Sequence, residues 1–414
     1  MTIKIRTKLN FSLNNAIMAA VVTVLLAFYY FSPLTKSFGL IRYFLSIFML
    51  LVTYTRKSLT RVLPTFLFTS AVLLLLVLSG RLSERGFNAP ISHATHFTAW
   101  LIVTVIAEYL KRAGKELQRY FIQLALFFLS VSTLISIYYV LRVNQYAIRF
   151  NEAYGLTNVL RFSQTYAICL LSDCLFFVIL CTRKQKTASI HSWLFFVFAL
   201  FTICIILSLF ATALILMLIG MLLGIAILMH DRHKIALVIL IGLAILLGIL
   251  VLGFPEQIAN LIYSLTENLN WIIRLRVRGI VDLLLQTDLS TEYTMERRTE
   301  LAFYSLTTFR NHPLLGIGYR GFGYGIIGMH QEWFDLLGTF GLFGTILFAA
   351  IFGTYLRSIY LSCVDTMDKR TFLLCLCLFL VLGFLNPCMS FQVLFVLMCV
   401  APHVSSLVKT VQEG

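Results

Sequence analysis

Apolar runs of about 20 residues, the length a helix needs to cross roughly 30 Å of hydrocarbon, recur along the chain between short polar loops. The runs are continuous, as in Ile235 to Leu252, whereas the strands of a membrane barrel alternate over about ten residues. The pattern predicts an all-α polytopic membrane protein. In the first half the spans run from Ala16 to Phe31, Gly39 to Tyr54, Leu63 to Ser79, Phe97 to Leu110, Tyr120 to Leu141 and Thr165 to Thr182. The stretch Trp193 to Met229 is too long for one crossing at about 1.5 Å per residue, and it divides near Ser208 to Thr212 into spans seven and eight. Span nine is Ile235 to Gly253, and Trp333 to Leu356, Thr371 to Leu385 and Phe391 to Val408 complete the set. About twelve transmembrane helices result, with one large polar loop between spans nine and ten. The organisational units are therefore 1–253, 254–332 and 333–414.

Charge adds an orientation. Only 12% of the 414 residues are charged and 59% are hydrophobic, against about 25% charged in a soluble domain. The formal net charge of +15 sits in loops such as Arg56, Lys57 and Arg61, or Lys111, Arg112, Lys115 and Arg119. Alternate loops are the basic ones, beginning with Lys4, Arg6 and Lys8. The positive-inside rule then puts both termini in the cytoplasm and the large loop outside. Loop charges of this kind are a topological signal and give no reason to expect nucleic acid. The nine cysteines lie mostly inside spans without a CxxC pair, as small buried hydrophobes do. The first apolar run lacks a small-residue cleavage site, so no cleavable signal peptide is expected.

The large outer segment needs a separate explanation, because it carries Arg274, Arg276, Arg278, Arg297, Arg298, Arg310 and Arg320. An anionic ligand is the natural one: the arginine fork makes bidentate hydrogen bonds to phosphate oxygens. Pro255 to Leu285 reads as interfacial amphipathic helix, and Arg298 to Phe309 as a helix stopped by Asn311, His312 and Pro313. Gly316, Gly318, Gly321, Gly323, Gly325 and Gly328 then mark a loop whose backbone N–H groups are expected to approach an anion. His330 stands where this loop meets span ten, and an imidazole there accepts a proton near neutral pH. Glu332 or Asp335 is placed to orient it. Within spans, Asp173 and Glu108 are costly; Asp173 is expected either to pair with an arginine of the site or to hydrogen-bond within the bundle, the second being favoured.

His330-Gln331, nine residues, then Gly341-Leu342-Phe343-Gly344 resembles the His-Asn/Ser/Gln-x9-Gly-x-x-Gly signature of the O-antigen ligase and Wzy-type polymerase superfamily. Upstream, Arg298, a helix, and His312-Pro313-Leu314-Leu315-Gly316-Ile317-Gly318 is similar to that family's pattern too. The resemblance implies an inverting glycosyltransferase that uses no metal or other cofactor, at the periplasmic face of the bacterial inner membrane. Its donor would be an undecaprenyl-diphosphate-linked glycan and its acceptor a glycan or lipid A-core. Membrane lipids and a chain-length regulator would be further partners. By that analogy His330 is the general base, and Arg298, with Arg297 and Arg320, grips the diphosphate; Glu332, Gly316 and Gly318 complete the site. The middle-span Ser/Thr-Arg of many ligases is missing at Leu207 to Thr212, so Arg161 or Arg149 from the other outer loop is the expected substitute. The short path GYRGFGYGIIGMH to the histidine is closer to the polymerase branch than to the ligases. A carrier of lipid-linked oligosaccharide is the rival class, although the related halves typical of carriers are not found.

Overall fold

The computed structural model describes residues 16–24, 48, 56–78, 91–142, 162–182, 188–208, 210–228, 264, 266–267, 274, 295–318, 325–328 and 331–408. Every regular element among them is helical. In chain order these are α1 (Arg56–Leu78), α2 (Ile91–Leu110), α3 (Lys115–Arg142), α4 (Phe162–Thr182), α5 (Ala188–Ser208), α6 (Ala211–Leu228), α7 (Met295–Asn311), α8 (Glu332–Ser362), α9 (Thr366–Leu385) and α10 (Phe391–Phe395). The last continues as a π turn (Val396–Val400) and a 3-10 segment (Ala401–Leu407). Among the described residues three helices are long and apolar enough to cross a membrane, and five more apolar stretches are shorter. Expected spans three to eight, ten and twelve coincide with these helices, and span eleven coincides with α9. Span nine lies outside the described residues, as do residues 25–31 of span one and all of span two except Phe48.

The turn predicted between spans seven and eight is present. α5 ends at Ser208, whose Oγ donates to Ile205 O at 2.7 Å and accepts the Phe210 amide at 3.3 Å. Span twelve differs from a plain surface span. All residues from Phe391 to Leu407 are buried, and the segment is enclosed by α2, α3, α4 and α9. Its change of helix type leads into Pro402, which lacks an N–H for the regular i→i−4 ladder; a π turn absorbs the misfit.

Polar groups mark two ends. At one, Glu108 of α2 is 2% exposed and meets Lys111 at 2.9 Å, Arg112 at 3.1 Å and Arg61 of α1 at 3.3 Å. Lys111 also donates to Ser358 Oγ of α8 at 2.9 Å. At the other end, His96 Nδ1 of α2 lies 3.3 Å from Glu332 Oε1 of α8. Between them Tyr355 of α8 donates to Thr104 O of α2 at 2.8 Å. α2 and α8 therefore run in the same direction, as the charge-derived topology requires of spans four and ten. Phe68, Phe97, Trp100, Phe340, Phe348 and Phe352 fill the space between α1, α2 and α8 with mostly edge-on ring contacts. Asp173 of α4 is fully buried, its carboxyl filling the space where a side chain on Gly220 of α6 would go. Its oxygens have no hydrogen-bond partner among the described residues, so the expected hydrogen bonding inside the bundle is not seen.

Candidate functional site

The sequence reading treats span ten as one helix; the structure breaks it at Gly341, where φ is 63° and ψ is −167°. The break leaves carbonyls unpaired on one side and amides on the other, as any helix end does. The turn His312 to Gly318 fills both needs. The Leu342 and Phe343 amides donate to Pro313 O and Leu314 O at 2.7 and 3.1 Å. In return the Ile317 and Gly318 amides donate to Gly338 O and Thr339 O at 3.2 and 2.7 Å. The His-Pro-Leu-Leu-Gly-Ile-Gly stretch and the Gly-x-x-Gly stretch are thus one interlocked unit.

That geometry explains two glycines. Gly316 has φ of 64°, and a Cβ there would collide with the Thr339 carbonyl. Gly341 lies in a region of backbone space that only glycine occupies readily, and its Cβ would sit 2.5 Å from Gly316 N and Leu314 O. The Gly316 amide donates to His312 O at 3.0 Å. The amides of Gly316 and Gly318 are therefore engaged inside the protein, and the expected approach of these two to an anion gives way to a packing role. Leu314 and Leu315 stay exposed, beside exposed Leu342 and Phe343, as anchors in hydrocarbon do.

Residues 325–328 run along α7. The Ile326 amide donates to Thr308 Oγ1 at 3.0 Å, and that hydroxyl donates to Ile326 O at 2.7 Å. Gly328 packs on the Leu301 carbonyl, and its amide donates to Ser305 Oγ at 2.9 Å. Ser305 Oγ in turn donates to Asp335 Oδ1 at 2.6 Å, and Asp335 Oδ2 accepts the Gln331 amide at 3.0 Å. One hydroxyl–carboxylate pair holds the chain on both sides of positions 329 and 330.

Glu332 is 3% exposed. Its Oε2 accepts the Cys388 and Met389 amides at 3.0 and 3.2 Å, and its Oε1 faces His96. The carboxylate thus ties α8 to α2 and to the α9–α10 loop, and a direct substrate contact is not what its surroundings favour. It also sits in the first turn of α8 with Asp335, where negative charge is favoured by the helix dipole.

Of the other sequence-predicted site residues, Arg297 and Arg298 lie in the first turns of α7, with side chains outside the described part. His330, Arg320, Arg161 and Arg149 are outside the described residues, and so is most of Pro255 to Leu285. Among described residues no cluster of three His, Cys, Asp or Glu is arranged for a metal ion. Sequence reasoning missed His96 and Ser305. A signal for Ser305 existed: Leu301, Ser305 and Thr308 share one face of α7 at three- and four-residue spacing, and all three meet the 325–328 segment.

No curated protein matches the chain. A family model described as O-antigen ligase matches residues 194–349, from the start of α5 to beyond the break in α8. That interval holds α7, the interlocked turn and the polar clasp around position 330. Over residues 194–349, then, the chain is similar to the O-antigen ligase family.

Proposed function

We propose that the protein is an inverting glycosyltransferase of the bacterial inner membrane that polymerises undecaprenyl-diphosphate-linked oligosaccharide repeats at the periplasmic face. The observation that carries the reading is the packing of Gly328 on Leu301. Two residues of chain reach at most about 7 Å, so position 330 stays within that distance of Gly328. Leu301 is one helical turn along α7 from Arg298. His330 follows Gly328 by two residues and Arg298 precedes Leu301 by one turn, and a histidine and an arginine in such segments suit an attacking hydroxyl and a diphosphate leaving group.

In this mechanism Arg298, supported by Arg297 and Arg320, neutralises charge that develops on the departing diphosphate. Arg161 or Arg149 supplies a contact from the second outer loop. His330 accepts the acceptor hydroxyl proton as its oxygen forms the new bond to the anomeric carbon. The diphosphate leaves from the opposite face with the bonding electron pair, so configuration inverts. The energy comes from the glycosyl-diphosphate bond.

The alternative within the family is transfer to lipid A-core, which the family's description favours and the short path to His330 does not. Purified protein given lipid-diphosphate oligosaccharide alone distinguishes them. Chain growth identifies a polymerase, product only with lipid A-core identifies a ligase, and no chemistry with either identifies a carrier. His330→Ala and Arg298→Ala should each abolish product while the protein remains in the membrane. Product of normal length from either variant would overturn the assignment.

A further inference from the structure

We infer that Asn386, with Ser390 and Gln331, forms a subsite for glycan hydroxyls beside position 330. This rests on the reading above, and two of its three residues, Asn386 and Ser390, lie beyond the family match, which ends at 349. Asn386 is 1% exposed at the end of α9. Neither its Nδ2 nor its Oδ1 has a hydrogen-bond partner among the described residues, and the same holds for Ser390 Oγ and Gln331 Oε1. Buried polar groups are paired in the great majority of cases, and exceptions on two segments that Glu332 ties together call for a cause.

The surroundings supply one. Glu332 accepts both amides in the middle of the 386–390 loop, so the loop is fastened to α8 two residues from position 330. The backbone is engaged while the side-chain amide and hydroxyl are not. An amide that both donates and accepts, a hydroxyl, and a further amide oxygen are the groups that pair with sugar hydroxyls, each of which also donates and accepts. A phosphate would call for cations or backbone N–H groups, and this cluster offers neither. The ligand class is therefore carbohydrate, held where the 386–390 loop meets the first turn of α8.

The trade between stability and binding tests this. A near-isosteric apolar residue in place of an unpaired buried amide is neutral or stabilising, whereas loss of a paired one is not. The full-length protein is purified in detergent and supplied with undecaprenyl-diphosphate repeats extracted from cells making its own polysaccharide. Asn386→Leu should leave Tm unchanged or higher, raise the apparent KM about tenfold and keep kcat within threefold. Ser390→Ala should move KM the same way by a smaller factor. A lowered Tm in Asn386→Leu, whatever its KM, would mean the amide is a structural group and would overturn the subsite. An unchanged KM in both variants would overturn it as well. Binding of the delipidated repeat oligosaccharide to the His330→Ala protein, followed by isothermal titration calorimetry, gives a readout independent of turnover; the added Asn386→Leu change should weaken it about tenfold, and equal affinity refutes the subsite. If His330→Ala keeps full activity, the glycosyltransfer reading fails instead, whatever Asn386 does.

Discussion

Alanine at Gly341 tests whether the break in α8 is required. An alanine held at the present φ of 63° and ψ of −167° costs about 1–3 kcal/mol. Its Cβ would also lie 2.5 Å from Gly316 N and from the carbonyl carbon and oxygen of Leu314. Those are backbone atoms, so no rotamer change clears them and the 312–318 turn has to withdraw. Withdrawal breaks the four interlocking hydrogen bonds, which are worth about 0.5–1.5 kcal/mol net each and about 2–6 kcal/mol together. If α8 straightens, new intrahelical bonds recover part of this, and the expected loss is about 3 kcal/mol or more. Gly353 is the internal control: it lies in the same helix and an added Cβ meets nothing within 4 Å. Gly353→Ala should be neutral or stabilising by up to about 1 kcal/mol. Thermal unfolding in detergent should place Gly341→Ala below the unsubstituted protein and Gly353→Ala at or above it. Limited proteolysis should cut the 312–318 turn only in Gly341→Ala. Equal melting temperatures and equal protease resistance for the two variants would refute the interlock.

At the opposite end, Glu108→Gln removes the carboxylate that neutralises Lys111, whose side chain is only 4% exposed. Leaving a buried charge unpaired costs about 3–5 kcal/mol, so the variant should show a lower Tm and lower membrane abundance; Lys111→Met in the same background should restore much of both. Ser305→Ala deprives the Gly328 amide and Asp335 Oδ1 of their shared partner. A displacement of about 1 Å at a reacting group costs on the order of 10²-fold in rate, so kcat for glycan transfer should fall by about that factor with KM little changed. A Ser305→Ala protein with unchanged kcat would show that this hydroxyl does not help to position residue 330.

Much of the layout was legible before any coordinates. Apolar runs long enough to cross a bilayer marked the helices. Ser208 to Thr212 marked a break inside a run too long for one crossing, and loop charge set the common direction of α2 and α8. The residues of the interlocked turn were also visible, as Pro313, Gly316, Gly318, Gly341 and Gly344. Their partnership was not, because the hydrogen bonds run between backbone groups about 25 residues apart and side-chain identity reports only the need for glycine.

What only the tertiary structure decided is which apolar surfaces meet protein and which meet lipid. Lipid tails are as apolar as leucine, so helices in a bilayer carry no polar outer face to distinguish the two. α6 and α10 read alike as apolar runs, yet α6 leaves Leu218, Leu222 and Ile225 exposed while α10 is enclosed on every side. Glu332 shows the same limit for polar residues. The sequence placed it beside His330 as a ligand or orienting group, and its carboxylate instead joins α2 to the α9–α10 loop. Local pattern determined that these segments are helices and where they start and stop. Long-range packing alone determined their neighbours, because close approach of backbones selects partners that hydrophobicity, uniform along such a chain, does not encode.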